Sequence, residues 1–130
     1  DTVILLNFGI LHPRLFKTKS DAQQCSQDFE LFLEKHLEKN KIIKYFIYDA
    51  SEFSYSHCSP KGIFLACQNI KILNKYSTKI QSLIMYNAPK CLSLVWPTLK
   101  VVYSRELYDK MTRIYTGDDE TLDKQIKGLV

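Results

Sequence analysis

The chain has 130 residues, room for one domain whose folding buries roughly two-thirds of the surface that the unfolded chain exposes. Its composition is 45% hydrophobic, 12% aromatic and 25% charged, which excludes a disordered chain, and no apolar run reaches the ~20 residues of a membrane-spanning helix. The net charge of +4 comes from lysines spread along the chain, so we expect a solvated basic surface and no specific nucleic-acid binding.

Strand-like runs alternate with helix-like patterns along the chain. Strands are predicted over 3–8, 42–48, 80–86 and 112–116, and helices over 21–39, 60–76, 89–103, from 104 onward, and 117–128. Helical crossovers between successive strands predict an α/β fold with a mainly parallel sheet and right-handed connections. We expect a single domain over 1–130, cut from a longer protein.

Local signals support several of these boundaries. Asp21, or Ser20 just before it, can cap the first helix. The run 42–48 is almost unbroken in apolar residues, which is typical of a strand buried on both faces of a parallel sheet. Ser59 and Pro60 supply a capping hydroxyl and a proline at the first position of the second helix.

Catalytic motifs are absent from the sequence. There is no glycine-rich phosphate loop, and neither HExxH nor GxSxG occurs. The adjacent His57 and Cys58 point to opposite sides of an extended chain, so a nucleophile–base pair is disfavoured. Asp49, at the end of the second strand, could serve a site formed with the loop 51–59, but a turn-forming carboxylate is at least as common there. We therefore expect no enzyme activity. An α/β enzyme with its site near Asp49 stays open as an alternative.

The four cysteines form no CxxC pair, and the sequence has no Asn-x-Ser/Thr acceptor for glycosylation. Both features favour a reduced, intracellular setting. We expect a cytoplasmic protein that associates peripherally with membranes.

The apolar segment, residues 89–103, has little polar face. Leu92, Val95 and Leu99 mark one helical stripe, and Leu94 and Trp96 widen it. Burying one such side chain stabilises by about 1.5–3 kcal/mol, so the segment must lie between protein layers or face a ligand or membrane. Composition alone favours a core helix, which Pro97 would kink or end.

The stretch 76–111 carries a family resemblance. It contains Ser82-Leu83-Ile84-Met85-Tyr86-Asn87-Ala88-Pro89, then Val95-Trp96-Pro97-Thr98-Leu99, then Ser104-Arg105-Glu106-Leu107-Tyr108-Asp109-Lys110-Met111. This order of strand, Asn-Ala-Pro turn, apolar helix and short helix resembles CRAL-TRIO lipid-binding domains. Upstream, Lys44-Tyr45-Phe46-Ile47-Tyr48-Asp49 is similar to the family's strand ending in aspartate.

The sequence also departs from the family pattern. Asp49-Ala50-Ser51-Glu52 lacks the glycine of the usual Asp-Leu-x-Gly. The family's N-terminal helical subdomain and its closing Leu-Pro-x-x-x-Gly-Gly segment are absent from this sequence. In the phospholipid-exchanging branch, two small hydroxyl residues contact a phosphate, and Lys44 and Phe46 stand at those positions. Thr78 replaces the glutamate used for inositol lipids, and Lys110 matches the lysine.

The resemblance implies an apolar cavity between the sheet and a gating helix. The ligand-binding residues it implies are Phe46, Tyr48, Leu83 and Met85 on the floor, Leu92, Val95, Trp96 and Leu99 on the gate, and Lys110 at an anionic headgroup. Lys110 is equally well explained as an ordinary surface lysine.

The function implied is non-enzymatic binding, and transfer between membranes, of a small hydrophobic ligand or phospholipid, including phosphoinositides. We expect a monomer that meets membrane surfaces transiently and needs no cofactor. The alternative is a regulatory scaffold of the same family that binds a protein partner and transfers no lipid. A cavity too small for an acyl chain would favour that alternative.

Overall fold

The computed structural model describes residues 3–7 and 12–115. Its strands are β1 Val3–Asn7, β2 Ile43–Asp49, β3 Ile80–Ala88 and β4 Met111–Tyr115, and its α-helices are α1 Lys19–Asn40, α2 Pro60–Lys75, α3 Trp96–Lys100 and α4 Arg105–Asp109. Short 3-10 turns lie at Pro13–Leu15, Tyr55–Cys58, Ser77–Lys79 and Lys90–Leu94. The helix predicted over 117–128 lies outside the described residues.

The described strands form one parallel sheet in the order β1-β2-β3-β4, which confirms the predicted α/β class. Because each strand pairs with its successor, right-handed crossovers place all connecting helices on the same face. The core forms there, where α1, α2 and α3 pack on two rows of facing side chains. These rows are Ile4–Phe46–Leu83 and Leu6–Tyr48–Met85.

The opposite face carries a smaller apolar row. Leu5, Ile47 and Ile84 are register neighbours there. Ile47 and Ile84 are buried and pack with partly buried Tyr45 and Tyr86, whereas Leu5 is 65% exposed. The alternation of strand side chains between faces therefore separates a deep core from a shallow cluster.

The start of α1 differs from the prediction. Thr18 is the N-cap: its hydroxyl accepts from the Asp21 backbone N–H at 3.2 Å, and the Asp21 carboxylate accepts from the Thr18 N–H at 3.1 Å. This reciprocal pair satisfies the backbone N–H groups of both Thr18 and Asp21. The helix therefore begins before the predicted caps, Asp21 and Ser20. Asp21 thus contributes as the third helical residue.

The start of α2 agrees with the prediction. The Ser59 hydroxyl accepts from the Gly62 N–H at 3.1 Å, and Pro60 occupies the first turn. Gly62 is required by packing, because a Cβ there would overlap the backbone of His57. The helix is therefore seated directly on the Tyr55–Cys58 turn.

The apolar segment is not one regular helix, and its interruption lies near Pro97, where the sequence predicted a kink or an end. The segment forms a 3-10 turn over Lys90–Leu94 and then the five-residue helix α3. Pro97 lies in the first turn of α3, where its missing N–H has no helical partner to lose. At the entrance to the segment, Asn87 adopts φ of 56° beside an irregularity in the β3–β4 register, a conformation that asparagine tolerates better than most residues.

Candidate functional site

The residues predicted for the floor and gate lie together in the core. The four floor residues project from β2 and β3 toward the helices, and the four gate residues project from the apolar segment onto the same core. Trp96 packs beside Tyr103 and Tyr108, with ring centroids 6.1 and 6.4 Å away. All eight side chains are buried: Phe46, Tyr48, Leu83, Met85, Leu92, Val95, Trp96 and Leu99.

Almost no space remains between this floor and gate. The void bordered by Tyr48, Met85 and Leu99 has a volume of about 10 Å³. A single buried water needs roughly 10–15 Å³, so an acyl chain does not fit in this conformation. The Tyr48 hydroxyl donates to the Asn69 side-chain oxygen, and burial raises the pKa of the Tyr48 phenol well above its usual value. The arrangement is that of a packed core, and ligand contact by these residues stays a prediction.

Contacts hold the apolar segment at both ends. At its start, the Cys58 thiol lies 3.7 Å from the Cys91 carbonyl oxygen. Just past α3, the Asn74 amide donates to the Val102 carbonyl at 2.8 Å, and its oxygen accepts from the Ser104 N–H at 2.9 Å. Between these points Leu94 and Val101 are 64% and 79% exposed. The segment is thus anchored at its ends and has apolar side chains on its outer surface.

Lys110 makes contacts within the fold. Its ammonium donates to the Ser77 carbonyl at 2.7 Å and to the Ile80 carbonyl at 2.8 Å, and it lies 3.7 Å from the Glu106 carboxylate. These bonds join the end of α4 to the turn that leads into β3. The contacts favour a structural role, and a headgroup contact stays a prediction.

The structure contains a large groove that the sequence reasoning missed. It lies between β1, the Pro13–Leu15 turn and α1, and its volume is about 670 Å³. We call it the β1–α1 groove; its apolar lining is Ile4, Leu5, Leu6, Leu15, Phe16, Cys25, Phe29 and Phe32. The signal was available in the sequence as Phe29 and Phe32, which widen the apolar stripe of α1, but the space they border depends on the sheet edge.

The groove adjoins the predicted floor. Phe29 lines the groove and meets Phe46 edge-to-face, with ring centroids 6.1 Å apart. Polar lining comes from Asn7, Lys17, Asp21, Gln24 and Asp28. The Asp21 carboxylate is engaged in the helix cap, and Asp28 accepts from Gln24 at 2.9 Å. Two carboxylates against one lysine make the charge of the described lining slightly negative.

The residues considered for catalysis, His57 and Asp49, make packing and turn contacts within the fold. His57 is buried, stacks on Phe53 with centroids 4.9 Å apart, and accepts from the Ser54 N–H through Nδ1 at 3.0 Å. Asp49 accepts from the Ser51 N–H at 3.0 Å, as a turn-forming aspartate does. Within residues 3–7 and 12–115, no group of three or more metal-ligating side chains could hold an ion, and no helix there is long and apolar enough to cross a membrane.

Comparison with known proteins supplies the family. The family model described as the CRAL/TRIO domain matches residues 1–128. The comparison with curated proteins finds no match. Domains of the CRAL/TRIO family in general bind lipophilic ligands and are not catalytic. Since the match spans nearly the whole sequence, the chain belongs to the CRAL/TRIO domain family.

Proposed function

We propose that this chain binds one small hydrophobic ligand without catalysis, and that the ligand occupies the β1–α1 groove. The observation that carries the proposal is the groove itself, about 670 Å³ lined mainly by apolar side chains. Clefts of about 300–1,000 Å³ are the usual size of small-molecule sites. The lipophilic ligands of the family give the chemistry of the occupant.

The charge of the lining favours a neutral ligand over an anionic phospholipid. Asp21 and Asp28 would repel a phosphate, and Lys17 alone opposes them. Lys110, the residue implied for a headgroup, is bonded to two backbone carbonyls. We therefore propose a neutral hydrophobic ligand ahead of phosphoinositides.

The apolar segment is proposed to act as a gate over additional space. Its floor, at Phe46, adjoins the groove through Phe29, so a ligand seated in the groove would extend over the floor once the segment moves outward. Leu94 and Val101 are exposed on the same segment as the exposed lysines Lys90 and Lys100, a combination that suits contact with a membrane surface. At the membrane surface, the monomer would bind and release the ligand.

The test compares two neighbouring residues of α1. Phe32 and Leu31 are both 50% exposed, but only Phe32 lines the groove. We expect Phe32→Gln to reduce ligand retention about tenfold, because a polar side chain on the groove wall loses roughly 1–2 kcal/mol of apolar contact. Leu31→Gln is the matched control and should leave retention unchanged.

Retention is measured by native mass spectrometry and by lipid extraction of the purified full chain. Equal losses in both variants would contradict the groove as the site. If the wild-type protein retains neither a co-purifying lipid nor an added neutral lipid, ligand binding itself is contradicted.

A second candidate function is favoured by the packed interior. Because the void beneath the apolar segment is about 10 Å³, the domain could serve as a regulatory scaffold with a solid core and bind a protein partner. This alternative gains support if the wild-type chain retains no lipid while Phe32→Gln weakens capture of a partner protein that is then identified and rebound in purified form.

A further inference from the structure

Two cysteines from distant parts of the chain converge beside the apolar segment. Cys58 ends the Tyr55–Cys58 turn, and Cys91 lies in the Lys90–Leu94 turn. The Cys58 sulfur is 3.9 Å from the Ser54 carbonyl oxygen, and the Cys91 sulfur is 4.0 Å from the Phe53 carbonyl oxygen. Since Phe53 and Ser54 are consecutive, both sulfurs approach the same short stretch of backbone.

The backbone of one cysteine is already in contact with the side chain of the other. The Cys58 sulfur lies 3.7 Å from the carbonyl oxygen of Cys91. A disulfide requires Cα atoms about 4.4–6.8 Å apart, so the pairing needs the two backbones to lie close, and the contact of the Cys58 sulfur with the Cys91 carbonyl brings the two residues together. Both side chains are partly accessible, and neither is in a disulfide.

We propose that Cys58 and Cys91 form a reversible disulfide that locks the start of the apolar segment to the turn preceding α2. The consequence for ligand exchange rests on the proposed function, because it requires the segment to act as a gate. The formation of the bond does not depend on that function.

The oxidant is a small disulfide of the glutathione type, RSSR. The Cys91 thiolate attacks one sulfur of RSSR, forming a mixed disulfide and releasing RS⁻. The Cys58 thiolate then attacks the Cys91 sulfur and releases the second RS⁻. Overall, two protein thiols lose two protons and two electrons, and RSSR is reduced to two RSH.

The environment of Cys58 suits the second of these roles. Burial, and then the neighbouring Cys91, raise the pKa of the Cys58 thiol. A thiol that ionises less readily reacts slowly with RSSR in solution. Attack on a mixed disulfide held beside it is intramolecular, so the high effective concentration of the Cys58 thiol compensates for its small thiolate fraction.

The bond would complete an attachment that already exists at the other end of the segment. Asn74 holds the chain at Val102 and Ser104. A covalent link at Cys91 would leave the intervening residues fixed at both ends. Outward movement of Trp96 would then require the Tyr55–Cys58 turn or the end of α2 to move as well.

The other two cysteines serve as internal controls. Cys25 lines the β1–α1 groove, and Cys67 is on α2 and packs against the core. The double variant Cys25→Ser/Cys67→Ser should form the disulfide like the wild-type chain. The variants Cys58→Ser and Cys91→Ser should not form it.

The experiment equilibrates the full chain with mixtures of reduced and oxidised glutathione, maps disulfides by mass spectrometry of proteolytic peptides, and follows amide hydrogen exchange over 90–100. We expect a Cys58–Cys91 cross-link and exchange in the segment slowed about tenfold on oxidation. Glutathione adducts without the cross-link, cross-links to Cys25 or Cys67, or unchanged exchange in the cross-linked protein would each overturn the proposal.

Ligand release from the same samples separates this inference from the proposed function. A neutral lipid released more slowly from the oxidised chain supports both. A cross-linked, exchange-protected chain that retains no lipid in either redox state overturns the proposed function and leaves the disulfide supported.

Discussion

Tyr48 shows how a single polar atom is accommodated in the core. Its ring is buried between the sheet and helices, and its hydroxyl donates to Asn69, which is also buried. We predict that Tyr48→Phe lowers the free energy of unfolding by about 1–3 kcal/mol, because the Asn69 oxygen loses this donor. Urea denaturation provides the measurement.

The double variant Tyr48→Phe/Asn69→Leu tests the cause. It removes both partners, so it should recover a large part of the lost stability. The exposed Tyr55→Phe is the control and should be neutral. A neutral Tyr48→Phe would show that the buried hydrogen bond contributes nothing.

Lys110 is a second residue whose role depends on its partners. Its two bonds to the Ser77 and Ile80 carbonyls join α4 to the start of β3. We predict that Lys110→Met lowers the free energy of unfolding by about 1–2 kcal/mol, whereas Lys90→Met changes it little. Loss of binding for anionic lipids alone, with unchanged stability in thermal denaturation, would instead assign Lys110 to a headgroup site.

At the scale of elements, α2 is positioned by the absence of a side chain. A Cβ at Gly62 would overlap the carbonyl group of His57. In an unobstructed helix, replacing glycine with alanine stabilises by about 1 kcal/mol. Here we predict the opposite sign for Gly62→Ala, a loss of about 1–3 kcal/mol from steric overlap.

The neighbouring exposed residue provides the comparison for this prediction. Lys61→Ala lies in the same turn of α2 and should change the denaturation midpoint only slightly. A stabilised Gly62→Ala variant would mean that α2 can shift away from the Tyr55–Cys58 turn at little cost.

The apolar segment illustrates a limit of periodicity at this scale. Its apolar content predicted burial, and Leu92, Val95, Trp96 and Leu99 are buried. The same content could not define one helix, because Pro97 begins a new turn and the chain before it is wound as a 3-10 turn. Leu94 and Val101 are left exposed as a result.

At the scale of the whole molecule, stability should depend on pH through buried phenols. Burial raises the pKa of Tyr48 and of Tyr103 above the ordinary value of about 10. The unfolded chain therefore loses these protons first as the pH rises. The stabilisation that each buried tyrosine contributes to the folded state is fully present below pH ~10. Above that pH, the free energy of unfolding falls by about 1.4 kcal/mol per pH unit for each of them.

This alkaline decline is measured by urea denaturation across a pH series. Tyr103→Phe should make the decline shallower, since one buried phenol is removed, and Tyr55→Phe should leave it unchanged. A pH-independent midpoint between roughly pH 9 and 11 would contradict the proposed linkage.

How much was predictable varied with the range of the interactions. The strands, α2 and its Ser59–Pro60 cap followed from local pattern, because each depends on residues within one or two turns. The Thr18 cap was missed because its partner Asp21 was itself taken as the cap. The β1–α1 groove was missed because β1 and α1 meet only in the folded chain.

The sequence by itself determined the α/β alternation, the parallel sheet and the family to which the chain belongs. Local periodicity and short motifs carry these, since each is encoded in neighbouring residues. Only the tertiary structure decided that the space under the apolar segment is filled while a groove is open beside α1. Cavity volume is set by the packing of side chains far apart in sequence, such as Phe29 against Phe46 and Tyr48 against Asn69, and no local pattern encodes it.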